Sequence, residues 1–92
     1  MSLLPLDGPS EQGTLSVTTS EQVVKVGASN LEERKVVTIQ PTDGKVYVSF
    51  KTGVTGFIVY KNQLVTFEAS DKQDIFIKSV SGTVNVKIAE RA

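Results

Sequence analysis

Asp74-Ile75-Phe76-Ile77-Lys78-Ser79-Val80-Ser81-Gly82-Thr83-Val84-Asn85-Val86-Lys87-Ile88 holds two alternating runs on either side of Ser81-Gly82. Ile75 and Ile77 oppose Phe76 and Lys78 in the first, and Val84, Val86 and Ile88 oppose Asn85 and Lys87 in the second. A period of two sends successive side chains to opposite faces of a pleat, so each run reads as a strand with one face turned to a core.

The same pattern extends outward through the 92-residue chain. Strands are expected near residues 14–18, 22–26, 35–40, 45–50, 57–60, 64–68, 75–80 and 83–89, separated by turn chemistry at the spacing of sandwiches and barrels. The 14 Val, 5 Ile and 9 Thr against 4 Ala are a β composition rather than a helical one. The expected fold is a small antiparallel β-sandwich of about eight short strands. Pro41-Thr42-Asp43-Gly44, Lys61-Asn62-Gln63 and Ser81-Gly82 are expected to close hairpins. Asn30-Leu31-Glu32-Glu33 has the spacing of a capping box and predicts a single helical turn. The expected core is Leu15, Val17, Val24, Val26, Val37, Ile39, Val46, Val48, Phe50, Ile58, Val65, Phe67, Ile75, Ile77, Val84, Val86 and Ile88.

Residues 1–13 read as an N-terminal arm and residues 14–92 as the sandwich domain. Leu3, Leu4 and Leu6 follow neither strand nor helix periodicity, and Pro5, Gly8 and Pro9 break the segment. The arm reads either as a frayed end or as a segment that packs on a neighbouring subunit. Tyr47, Phe57, Val59, Phe76 and Val80 fall on faces that a monomer would show to water. With the arm leucines, Tyr47, Phe57, Val59 and Phe76 are the candidate interface residues.

Ten basic and ten acidic residues cancel and are scattered, so no field that would capture nucleic acid is expected. No apolar run reaches the length of a membrane helix, and the start lacks the basic and apolar regions of a signal peptide; the expectation is a soluble, unexported chain. Without His or Cys, triad and thiolate catalysis are excluded. Glu32, Glu33, Asp43, Asp71 and Asp74 read as turn residues that bond backbone, and no calcium, zinc or phosphate-loop spacing occurs. No catalytic residue, cofactor or metal is therefore expected. Gly53-Val54-Thr55-Gly56 reads as a bend between strands, not as an RNA-clamping loop.

Arg34-Lys35-Val36-Val37-Thr38-Ile39-Gln40, the polar turn, Val46-Tyr47-Val48, Gly53-Val54, Leu64, and the run from Ile75 through Ser81-Gly82-Thr83-Val84-Asn85-Val86-Lys87 to Glu90 form an ordered set of segments. Over residues 22–90 this set resembles the small β-sandwich structural proteins of tailed-bacteriophage virions, of the capsid-decoration, head-fibre or tail-associated type. Lys61-Asn62-Gln63 stands where that pattern carries a Pro-Gly pair. The resemblance implies a non-enzymatic homo-oligomer, a trimer foremost, made in the host cytoplasm and attached to capsid or tail proteins of the virion. A small carbohydrate- or cell-surface-binding sandwich is the alternative, with Tyr47 and Tyr60 as its planar contacts.

Overall fold

The computed structural model describes residues 10–92, which form eight strands and no helix. They are β1 (Ser10–Val17), β2 (Gln22–Val23), β3 (Val36–Pro41), β4 (Val46–Ser49), β5 (Phe57–Val59), β6 (Val65–Glu68), β7 (Phe76–Ser79) and β8 (Val84–Arg91). Two four-stranded antiparallel sheets pack face to face, sheet A in the order β1-β8-β3-β6 and sheet B in the order β2-β7-β4-β5. The all-β sandwich follows as expected, because alternating β-branched runs can bury one face only by stacking two sheets.

Register explains the core. Val17 faces Val84, Leu15 faces Val86, Ile39 faces both Ile88 and Val65, and Val37 faces Phe67. Residues directly opposite share a face, so these pairs line the inside of sheet A. Val46, Val48, Ile75 and Ile77 close the interior from sheet B, all fully buried.

The three expected hairpins are not formed. β3 and β4, β5 and β6, and β7 and β8 lie in different sheets, so their connections are corners of the sandwich. The reason is occupancy: β3 already has β8 and β6 on its two sides, and β8 has β1 and β3. Turn residues specify a reversal but not the partner. The corner after β3 is tied instead to β8. Thr42 donates from its amide and its hydroxyl to the Asn85 carbonyl at 2.9 and 3.0 Å, and Asp43 accepts the Asn85 amide at 2.8 Å.

β4 and β5 are the one hairpin between consecutive strands among the described residues. Gly56 makes it possible: its φ is +79°, and a Cβ there would lie 2.1 Å from the Val48 carbonyl oxygen. The Gly-x-x-Gly string is thus a hairpin loop.

Further boundaries shift. β1 starts at Ser10 and pairs there with Arg91, so residues 10–13 of the expected arm are strand; residues 1–9 lie outside the described part. Residues 31–34 form a β-turn closed by Arg34 N–H to Leu31 O at 3.1 Å, with Glu33 at φ +58°, not a helical turn. Asn30 does not cap it, since its amide donates to Asp71 O and Asp74 Oδ1. Within β5 the expected phase is reversed: Val59 pairs with Val46 and is 1% exposed, whereas Ile58 pairs with Tyr47 and is 36% exposed. Phe57-Ile58-Val59-Tyr60 is apolar throughout, so it carries no alternation of its own and takes its phase from β4.

Candidate interaction surface

β5 and β6 are the edge strands of the two sheets, and ring contacts bring them together on one side of the sandwich. Phe57 points inward from β5 and Phe67 inward from β6, with centroids 5.7 Å apart. Phe50, expected in the core, instead leaves the end of β4 and closes over both rings, 6.1 Å from Phe57 and 5.2 Å edge-on from Phe67. Three rings thereby plug the gap between the sheets, and the plug stays wet: Phe50 is 46% and Phe57 41% exposed. Val54, Ile58, Tyr60 and Leu64 belong to the same pair of strands and their loops, and are exposed as well. All the large hydrophobic residues classed as exposed among the described residues lie between positions 50 and 64. Leu64 stands apart, over the outer face of sheet A beside Thr14, Thr38 and Lys87; single exposed apolar residues are ordinary, but Phe50, Phe57, Ile58 and Tyr60 gathered at the β5 edge are the composition of a contact surface.

The expected contact residues separate. Phe57 belongs to this side. Val59 does not, being core. Tyr47 and Phe76 sit on the outer face of sheet B, half-buried, with Lys78 Nζ 5.9 Å from the Tyr47 ring centroid and Phe76 facing Ser49 and Val23. Val80 is half-buried. Leu3, Leu4 and Leu6 lie outside the described residues. Sequence reading missed Phe50 and Ile58, and the signal available was the uninterrupted apolar run at residues 57–60, which lacks the charge or proline that guards an edge strand.

Polar chemistry fixes the loops around this surface. The Glu21 carboxylate accepts from the Thr52 hydroxyl at 2.6 Å and the Gly53 amide at 2.9 Å. To reach it, the loop after β4 crosses β7, which separates β4 from β2 in sheet B. The hydrogen bonds from Thr52 and then Gly53 hold the Glu21 pKa below the ordinary carboxylate value, with Lys78 adding to the effect. Gln73 donates to Phe50 O at 3.1 Å and anchors the loop from the other side.

A buried ion pair lies deeper. Arg34 Nη1 donates to Glu90 Oε2 at 3.0 Å with both side chains fully buried. Glu90 also accepts the Val26 amide at 2.9 Å and the Leu31 amide at 3.0 Å, while Arg34 donates to the carbonyls of Ala69, Ser70 and Gln73. Glu90 points inward because it shares a register position with Val37. Asp71 accepts the Glu33 amide at 3.0 Å, and Asp74 accepts from Asn30 at 2.8 Å. Each of the carboxylates Asp43, Asp71 and Asp74 therefore has a hydrogen-bond partner in the fold.

No protein-family model, curated protein or solved structure matches the chain.

Proposed function

We propose that this protein is a non-enzymatic structural module of a tailed-bacteriophage virion, a homo-oligomer that attaches to the capsid, as a decoration or head-fibre protein does, or to the tail surface. The observation that carries the reading is the apolar edge formed by Phe50, Phe57, Ile58 and Tyr60 on a scaffold whose loops are tied down by hydrogen bonds. A pre-ordered module has little conformational entropy left to lose on docking, and several identical copies multiply a weak contact. The resemblance over residues 22–90 supplies the class of assembly.

The test is quantitative mass spectrometry and antibody labelling of particles purified from the phage that encodes the chain. Many copies per particle, removable without loss of the particle's core proteins, are expected. Absence from purified particles, with the protein present in the lysate, would refute the reading.

A further inference from the structure

We infer that two copies of this chain pair through their β5 edges about a twofold axis at Ile58; the proposal rests on the homo-oligomeric reading and gives it a contact and a symmetry. Val80 N–H donates to Lys45 O at 3.3 Å, which sets the hydrogen-bonding phase of the β4–β7 ladder. Carried through alternation, that phase turns Val46 and Val48 toward β5, so Val59 and Phe57 spend their backbone groups on β4. Ile58 is then the residue of β5 whose N–H and C=O both face outward.

A twofold axis at Ile58 gives two reciprocal Ile58 hydrogen bonds and converts sheet B into a continuous eight-stranded sheet. In that register Phe57 meets Val59 of the partner subunit, and Tyr60 meets the partner's Gly56, where there is no side chain to obstruct it. Lys61 falls opposite Thr55 of the partner subunit, so no like charges are apposed across the axis. Two hydrogen bonds are a short ladder, and apolar burial carries the contact. Phe50, Phe57, Ile58 and Tyr60, between 36 and 58% exposed, offer on the order of 400 Å² at this edge. A standard stable interface buries roughly 800 Å² per partner, so this smaller contact belongs to the weak, reversible class and its association falls in the micromolar range.

The other sheet edges suit this pairing less well. β2 has two residues, β1 presents Ser10, Gln12, Thr14 and Ser16 outward, and β6 presents Thr66 and the charged Glu68. β5 carries neither charge nor proline from Phe57 to Tyr60. A copy of the same edge is complementary to it in polarity, size and register.

The chain has no cysteine, which makes the register directly testable. Facing residues of a hydrogen-bonded pair have Cα atoms about 5.5 Å apart, within the range a disulfide spans. Sedimentation equilibrium across the micromolar range should show a monomer–dimer system. I58C should cross-link to itself under mild oxidation, and S16C, on the opposite edge, should not. I58K, which puts two like charges at the axis, should weaken association by about tenfold or more while leaving the circular dichroism of the native sheet unchanged. A monomer at all concentrations, a trimer, or dimers in which I58C fails to cross-link overturns the proposal. A trimer found in virions would leave the virion reading standing; a cross-linked dimer absent from virions would leave only the pairing.

Discussion

Arg34 and Glu90 show how much one pair of side chains organises. Two fully buried opposite charges cost several kcal/mol in desolvation, and their mutual attraction offsets this only when the remaining donors and acceptors are matched. Here the matching groups are backbone amides of residues 26 and 31 and backbone carbonyls of residues 69, 70 and 73, so the pair ties two loops to β8. Truncating one partner strands the other in the interior. Glu90→Ala and Arg34→Leu are each expected to cost about 3–5 kcal/mol. The double variant should cost less than the sum of the singles by about 2 kcal/mol, read from urea midpoints with unchanged slopes. Additive losses would show that the two side chains act independently.

At the scale of elements, the loop after β4 is held by a charge. The Glu21 pKa is lowered in the folded protein, so the folded state favours the carboxylate. A group with a depressed folded pKa stabilises above its unfolded value, here 4.5, and that contribution is lost as pH falls through the lower folded value. The loop should therefore loosen under acid conditions while the sheets persist. Amide exchange at Gly53, compared between about pH 6 and about pH 3 after correction for intrinsic rates, should accelerate relative to Val48. Glu21→Gln should show the fast rate at both pH values, and a Gly53 amide indifferent to this substitution would remove the latch. The loop also bears Phe50 and Val54, so its order governs how the apolar side is presented.

For the whole molecule, connectivity dictates kinetics. Ser10 pairs with Arg91, and β8 forms between β1 and β3, while β4–β5 is the one local hairpin among the described residues. Most pairing must therefore await closure of long loops. Refolding is expected on the millisecond-to-second scale typical of β-sandwiches, measurable by stopped-flow fluorescence of Tyr47 and Tyr60. Complete refolding within microseconds would contradict this topology.

Alternation and turn chemistry were legible in the chain itself. They place the eight strands, the inward faces of β3, β4, β7 and β8, and the β-sandwich class, because period-two patterning is local information. Which strand sits beside which was not legible: Pro41-Thr42-Asp43-Gly44 reverses the chain whether the result is a hairpin or a corner, and only the prior occupancy of both sides of β3 decides for the corner. The face presented by β5 was likewise set from outside, since a run of apolar residues takes its phase from its neighbour. The Arg34–Glu90 contact joins residues 56 positions apart, and Phe50, Phe57 and Phe67 meet from three strands or strand ends of different sheets. Such partnerships arise from long-range packing, which no local pattern along the chain reveals.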